Sequence, residues 1–247
     1  MRDDLLDAEA SIAWAVSSLP SLQERLSSWL DLNVYLHVED EPPPATHNPV
    51  VLVEKEPLPR AFNVEAGAYL NVIRSSLDIL ATSLANRHGI RRPDRAYFPH
   101  AKSVEAFTQG NYRGHEFVEG LPDGERAIIE MLKPYDGGNG LLADLHSLDI
   151  MRKHRRLIAV SLRPLSFSVT GTGPIADYFQ PIATGWVNAN EKTAIALIRK
   201  DAPDYKMQFT PDVAFSEGAI VNRLPVVDAI HQFASHAASI IRLFDTH

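Results

Sequence analysis

The order in which helical and strand-like segments follow one another constrains the fold of this chain more than any other feature. Segments rich in β-branched and aromatic residues, separated by Gly, Pro, Asn and Asp, succeed one another from about residue 157 to about residue 222. Helical periodicity occupies about 60–156 before them and about 225–245 after them. The strand-like segments are 157–162, 165–170, 182–187, 193–198 and 205–215. Because the strands do not alternate with helices, the pattern argues against a doubly wound α/β sheet and predicts an α+β fold.

The part of the chain before residue 60 predicts an N-terminal helix and a β-hairpin. Apolar residues recur at helical spacing over about 3–30, and two strand-like runs, 34–38 and 50–54, flank a Pro-rich loop. We therefore expect one α+β domain over 1–247, in which a helical bundle packs with an antiparallel β-sheet. The last helix is expected to close onto the bundle.

Composition excludes several classes of site. The 247 residues include no cysteine, which rules out disulfides, thiolate metal ligands and a cysteine nucleophile. The formal net charge of −7 argues against broad, nonspecific nucleic-acid binding but allows a local basic site. No apolar run approaches the roughly 20 residues of a membrane span, and the acidic start lacks a signal-peptide pattern. We therefore expect a cytoplasmic protein with no membrane partner.

The first helix of the predicted bundle carries polar residues beside its apolar face. At about 100° per residue, Asn71, Arg74 and Asp78 share one flank, next to the leucines and isoleucines that form the core face. Arg74 and Asp78 are one helical turn apart and can form an ion pair. At the edge of a core such a pair matters, because removing one partner leaves the other without compensation.

A second charged helix is predicted over about 141–156. Asp149 projects into its apolar stripe, and Arg152 follows in the same stripe one turn later. His146 lies on the flank beside Lys153. Charged groups among core positions are costly unless they are paired, so these residues need a structural or functional explanation.

The inward charges allow two interpretations. One is a buried ion-pair network that fixes the register of the bundle, and the other is a polar pocket or a catalytic cluster. The network would include Arg74, Asp78 and Asp149, with Arg152 or Arg155. We favour the architectural interpretation, with a small ligand or a protein partner bound at the polar cluster.

The segment from Asn71 to Ala81 resembles the N-x-x-R-S-x-L-D-x-L-A segment of a group of uncharacterised bacterial and phage-associated proteins. The group's later motifs also occur here in order, over less than half of the chain. They are Phe98-Pro99, Pro134-Tyr135, Leu145-His146-Ser147-Leu148 and Lys153-His154-Arg155. Arg152 departs from the group's pattern, in which an acidic or amide residue precedes Lys-His-Arg. The resemblance implies a bacterial protein but carries no established activity.

A more remote resemblance is to HEPN-like helical domains, some of which are metal-independent ribonucleases acting in phage defence or toxin systems. The resemblance implies an Arg and a His on one helix, for which the candidates are His154, Arg152 and Arg155. Arg152 and His154 are closer in sequence than the usual spacing of that pair. A straight helix also places His154 on the side opposite the inward charges. A nuclease would require His154 to be exposed in a basic cleft.

Other chemistries have weaker support. His146 and Asp149 have a usable metal-ligand spacing, but no second copy of the pair exists, so we expect no metal and no cofactor. The glycines at 137–140 lack the Lys-Ser/Thr of a phosphate loop and predict a turn, with Asn139 capping the next helix. The sequence therefore favours a non-enzymatic binding or interaction protein, compatible with a homodimer. The alternative is the HEPN-like ribonuclease, with RNA as its substrate.

Overall fold

The computed structural model describes residues 2–171, 174–182 and 192–245. Its helices are α1 (Leu6–Asn33), α2 (Arg60–Arg87), α3 (Val104–Thr108), α4 (His115–Gly120), α5 (Asp123–Leu132), α6 (Gly140–His154) and α7 (Val226–Leu243). Its strands are β1 (Val34–Val38), β2 (His47–Glu54), β3 (Val160–Gly171), β4 (Phe179–Pro181), β5 (Lys192–Arg199) and β6 (Tyr205–Phe215). The α+β class is confirmed, with antiparallel sheets, an N-terminal helix and a C-terminal helix. None of the described helices is long and apolar enough to cross a membrane.

The predicted hairpin forms, and its second strand continues into a larger sheet. β1 and β2 are antiparallel, with Val34 opposite Glu54, and the four-stranded sheet has the order β1-β2-β5-β4. β3 and β6 form a separate two-stranded sheet. The strand-like segment 182–187 lies outside the described residues apart from Ile182. The strands beyond residue 157 therefore divide between two sheets.

The chain forms two compact units. The first unit contains Met1–Ser21, Arg60–Val160 and Phe215–His247, and the second contains Leu22–Pro59 and Ser161–Ala214. The four-stranded sheet belongs to the second unit. All the predicted site residues belong to the first.

Helix α2 forms the centre of the first unit and packs against both α6 and α7. Its core face is fully buried, with Leu70, Ile73, Leu77 and Leu80 all at 0% exposure. Helix α6 begins where its sequence predicts, because the side chain of Asn139 accepts a hydrogen bond from the Leu142 N–H at 3.2 Å. Side chains on the flanks of α2 and α6 can therefore meet.

Two isolated β-bridges connect the stretch between α2 and α5, one within the stretch and one to the residues after α5. A single β-bridge joins His100 to Arg113, and another joins Ala101 to Tyr135. Only two short helices, α3 and α4, occur between residues 96 and 122 of this described stretch. The first bridge holds His100 and Arg113 next to each other, although thirteen positions separate them in the sequence.

Candidate functional site

A cavity of about 320 Å³ opens in the first unit, at the edge of α2 and α6. This volume lies at the lower end of the range for small-molecule sites, which is roughly 300–1,000 Å³. The described residues that line the cavity are Arg74, Asp78, Tyr97, Phe98, His100, Arg113, His146, Asp149, Ile150, Lys153 and His154. Most of them carry polar or charged side chains.

Arg74 and Asp78 form the predicted ion pair, and the chain around Phe98 completes it. Arg74 Nη1 donates to Asp78 Oδ1 at 2.8 Å, and Nη2 donates to the carbonyl oxygen of Phe98 at 2.8 Å. The N–H of Phe98 donates to the same Asp78 oxygen at 3.0 Å. Only 8% of the Arg74 side chain is exposed. The two bonds to Phe98 tie the loop after residue 96 to helix α2, and the Arg74–Asp78 bond within α2 orients the two side chains that make them.

Asp149 lies inward, as its position on the helix predicts, and it has two partners of its own. Asn71 Nδ2 donates to Oδ1 at 3.0 Å, and Lys153 Nζ lies 2.7 Å from Oδ2. Within the described residues, no hydrogen bond or ion pair joins Asp149 to Arg74. The expected single network is therefore two neighbouring clusters that border one cavity.

Arg152 and Arg155 do not join either cluster within the part of the chain that the structure describes. Arg152 follows the buried stripe of α6 that faces α2, and its aliphatic stem crosses Gly67, where an added Cβ would lie 2.8 Å from Arg152 Cγ. Arg155 follows the last turn of α6 and is exposed. Their expected place in the buried network is wrong, because the Arg152 stem packs on α2 and Arg155 lies past the helix end.

His154 lies on the same side as the inward charges, contrary to the straight-helix expectation. It is exposed and lines the cavity, as does Ile150 one turn before it. The expectation compared His154 with the apolar stripe of α6, whereas the cavity runs along the edge of that stripe. His154 is therefore exposed in a cavity wall that also holds Lys153 and Arg113.

Two imidazoles pack against each other in the wall of the cavity. The ring centroids of His100 and His146 are 4.2 Å apart, with 30° between the ring planes. His100 Nε2 lies 3.0 Å from Asp136 Oδ1, which holds that ring from the solvent side. Within the described part of the chain, the buried Nδ1 of His100 has no hydrogen-bond partner.

Burial keeps both imidazoles neutral at physiological pH. Burial, together with the smaller effects of the neighbouring His100, Arg74 and Lys153, lowers the pKa of His146 to about 3. Burial also lowers the pKa of His100, against the opposing effect of Asp136. At neutral pH each ring therefore offers one N–H donor and one ring-nitrogen acceptor instead of a charge.

Arg113 adds a cation that the sequence analysis did not identify. Its guanidinium carbon lies 3.2 Å from the centroid of the Tyr97 ring, and the side chain is exposed. Gly114 follows with φ +96°, and a Cβ there would lie 2.3 Å from the Tyr97 carbonyl oxygen. The glycine therefore permits the close approach that holds Arg113 beside Tyr97.

His100, Asp136, Tyr97 and Arg113 were missed because they lie in irregular chain, where helical periodicity carries no information. The Gly114 position and the Phe98-Pro99 motif were the available signals, and neither identifies a partner. Asn71, Arg74, Asp78, His146, Asp149 and Lys153, which the sequence grouped together, do lie at or beside one cavity.

No group of three or more His, Asp or Glu residues that could hold a metal ion occurs among the described residues. Comparisons with protein-family models, with curated proteins and with solved structures found no match.

Proposed function

We propose that this protein binds a small anionic molecule in the cavity between α2 and α6, as a non-enzymatic binding protein. The observation that carries the proposal is the charge of the wall. Among the described lining residues, Arg74, Arg113 and Lys153 face two carboxylates, which leaves one positive charge in a chain of net charge −7. A positively charged wall inside a concave site attracts anions, even when the protein as a whole is negatively charged.

The carboxylates in the wall do not cancel this preference. Asp78 accepts from Arg74 and from the Phe98 N–H, while Asp149 accepts from Asn71 and from Lys153. Each negative charge is therefore already matched by donors of the protein. The donors that remain, on the cations and on the exposed His154, are available to a ligand.

The dimensions of the cavity support a small molecule in preference to a polymer. About 320 Å³ matches a ligand of modest size, and Tyr97 and Ile150 supply apolar surface beside the charged groups. The neutral His146, whose pKa is about 3, is a weak proton donor or acceptor at neutral pH. These properties fit binding better than acid–base catalysis.

The resemblance to the uncharacterised bacterial and phage-associated proteins forms part of this proposal, as does a cytoplasmic location. Its support is that separate motifs supply residues of the same cavity: the first motif gives Arg74 and Asp78, and later motifs give Phe98, His146 and His154. The proposal is compatible with a homodimer and does not depend on one.

The test compares four ligands that share one ring: benzoate, phenyl phosphate, benzyl alcohol and benzylamine. We expect the two anions to raise the thermal midpoint of unfolding, because a ligand that binds only the folded state stabilises it. The neutral and cationic compounds should not. Arg113→Glu should abolish the rise, whereas Arg95→Glu, which changes the charge equally at an exposed position outside the lining, should keep it. Two results would contradict the proposal. One is that benzylamine raises the thermal midpoint as much as the anions do, and the other is that the anions raise the midpoint of Arg113→Glu as much as that of the wild type.

A second candidate function is favoured by one observation, the exposure of His154 beside Lys153 and Arg113. In that alternative the protein is a HEPN-like ribonuclease, and His154 transfers the proton during RNA cleavage. Single-stranded RNA should then be cut in the presence of EDTA, and His154→Ala should abolish the cutting while retaining the fold. Intact RNA after incubation with the wild-type protein would exclude this alternative and leave the binding proposal standing.

A further inference from the structure

We infer that the ligand of this cavity is a small organic phosphate monoester, with Arg113 as the side chain that selects its doubly charged phosphate. The inference rests on the proposed function, since it names the class of anion that the same site takes. Three features carry it: the uncommitted charge of Arg113, the surplus of donors in the wall and the apolar surface next to them.

Arg113 differs from the other cations of the cavity in what it contacts. Arg74 is bonded to Asp78 and to the Phe98 carbonyl oxygen, and Lys153 is bonded to Asp149. Arg113 makes no ion pair within the described residues, and its guanidinium lies against the ring of Tyr97. The positive charge that remains after pairing therefore belongs to Arg113.

The position of Arg113 is set by the backbone. The β-bridge joins Arg113 itself to His100, and the close approach at Gly114 constrains the chain directly after it. A guanidinium that is already oriented by stacking loses less freedom when it binds a ligand than a free side chain does. Arg113 is thus a pre-positioned cation at an exposed edge of the cavity.

The number of donors fits phosphate better than carboxylate. Arg74 and Lys153 keep N–H groups beyond those in their ion pairs, and Arg113 adds a planar fork. A phosphate monoester presents three acceptor oxygens and close to two negative charges above its second pKa, which is about 6. Arginine forks match phosphate oxygens in pairs. A carboxylate has only two acceptor oxygens and would leave more of these donors without a partner, and a sulfonate carries a single negative charge and so attracts the three cations less strongly.

The apolar residues of the lining indicate that the phosphate is attached to an organic group. Tyr97 and Ile150 border the same space as the cations, and Ile150 is 37% exposed. Inorganic phosphate would leave this surface in contact with water, whereas a ring or short chain would cover it. The expected ligand therefore combines one phosphate with a compact apolar part.

The test is isothermal titration calorimetry near pH 8, with phenyl phosphate, benzenesulfonate and inorganic phosphate as the three ligands. Phenyl phosphate should bind at least about tenfold more tightly than benzenesulfonate, which has the same ring but a single charge. It should also bind more tightly than inorganic phosphate, which has no ring. Arg113→Ala should weaken phenyl phosphate about tenfold or more, while Arg95→Ala, an exposed arginine outside the cavity lining, should change nothing.

The possible failures are distinguishable. Equal binding of phenyl phosphate and benzenesulfonate would overturn the selectivity for phosphate and leave an anion-binding protein. Equal binding of phenyl phosphate and inorganic phosphate would overturn the organic part. Unchanged binding by Arg113→Ala, in a variant with wild-type circular dichroism, would overturn the role of Arg113. No binding of any of the three ligands would overturn this inference together with the proposed function.

Discussion

Arg74 donates hydrogen bonds to a carboxylate and to a main-chain carbonyl, and these bonds explain why a buried arginine is stable here. One nitrogen bonds the Asp78 carboxylate and another bonds the main-chain carbonyl of Phe98, while the Phe98 N–H returns to Asp78. Asp78 is 31% exposed, so the pair keeps contact with water on one side. A pair with this geometry offsets its desolvation better than an isolated buried pair would.

Replacing Arg74 by alanine should lower the free energy of unfolding by about 2–4 kcal/mol, at or just below the cost of breaking a fully buried pair. Asp78 would lose its counter-charge, and the Phe98 carbonyl would lose its donor. Urea unfolding at neutral pH measures the effect. The double variant Arg74→Ala/Asp78→Ala should cost less than the two single changes together, because no carboxylate is left alone. A loss under about 0.5 kcal/mol in Arg74→Ala would show that the contact does not stabilise the fold.

His146 should make stability fall as the pH is lowered. Its pKa is about 3 in the folded protein and near 6.5 when it is unfolded, so between these values the unfolded state binds more protons. Stability therefore rises with pH across this window and levels off above it. His100 and His236, whose pKa values are also lowered by burial, act in the same direction.

The variant His146→Gln should consequently show a weaker loss of stability than the wild type between about pH 7 and pH 4.5. Denaturant unfolding at several pH values measures the difference, and His37→Gln, which removes an exposed imidazole on β1, is the matched control. Parallel profiles for the wild type and His146→Gln would contradict a strongly lowered pKa at His146.

At the scale of one element, the irregular stretch between α2 and α5 supplies most of the cavity-lining residues that the sequence does not reveal. The spacing of Arg74 and Asp78 was sufficient to predict their pair, because a helix turns by a known angle per residue. The bridge of His100 to Arg113 has no such local rule, since it depends on how the loop returns. The position of His154 was mispredicted because the cavity follows the edge of α6 and not its apolar stripe.

Gly114→Ala should displace Arg113 and destabilise the loop. Its backbone has φ +96°, and a Cβ would lie 2.3 Å from the Tyr97 carbonyl oxygen, so the main chain itself must shift. We expect a loss of about 2–4 kcal/mol, above the roughly 1–2 kcal/mol that a left-handed conformation alone costs. Gly137→Ala is the control, because Gly137 also has a positive φ of +82° but no atom within 4 Å of the added Cβ.

The measurement has two parts, thermal or urea unfolding and titration with phenyl phosphate. Gly114→Ala should lose both stability and affinity, since the shift moves the stacked guanidinium, whereas Gly137→Ala should lose only some stability. Equal behaviour of the two variants would mean that the close approach at Gly114 is not what positions Arg113.

At the scale of the whole molecule, the order of segments predicted the α+β class but not the arrangement of its strands. β2 pairs with β5 antiparallel, with His47 opposite Arg199. A pairing across such a sequence distance has no local signature, because hydrophobic alternation predicts that a strand exists and not which strand it meets. The division into two sheets could therefore not be read from the pattern of single segments.

A second buried cluster in the first unit gathers chain segments that are far apart in sequence. Arg87, at the end of α2, bonds both Asp4 oxygens at 2.7 and 3.1 Å, Glu125 Oε1 at 2.9 Å and the carbonyl oxygen of Phe244 at 3.1 Å. His88 Nε2 lies 2.9 Å from the other Glu125 oxygen. One guanidinium thus connects the start of the chain, α5 and the residue after α7. No local sequence pattern reveals this cluster, because the acidic partners of Arg87 lie in distant segments.

Arg87→Ala should lower the free energy of unfolding by about 3–5 kcal/mol, the scale expected when one partner of a buried pair is removed. The reason is Glu125, whose side chain is only 3% exposed and would keep only the His88 imidazole as an ion-pair or hydrogen-bond partner among the described residues. Arg87→Lys should have a free energy of unfolding between those of the wild type and Arg87→Ala. An ammonium cannot bond Asp4 with two parallel N–H groups while also reaching Glu125 and Phe244.

The control is Arg91→Ala, which removes an exposed arginine four positions later and should change stability by less than about 0.5 kcal/mol. Urea unfolding followed by circular dichroism measures all three variants. Raising the salt concentration should leave the difference between the wild type and Arg87→Ala nearly unchanged, because ions screen a buried cluster much less than a surface pair. If Arg87→Ala is as stable as Arg91→Ala, the cluster does not hold these distant segments together, and the apolar packing of α2 against α7 must be sufficient on its own.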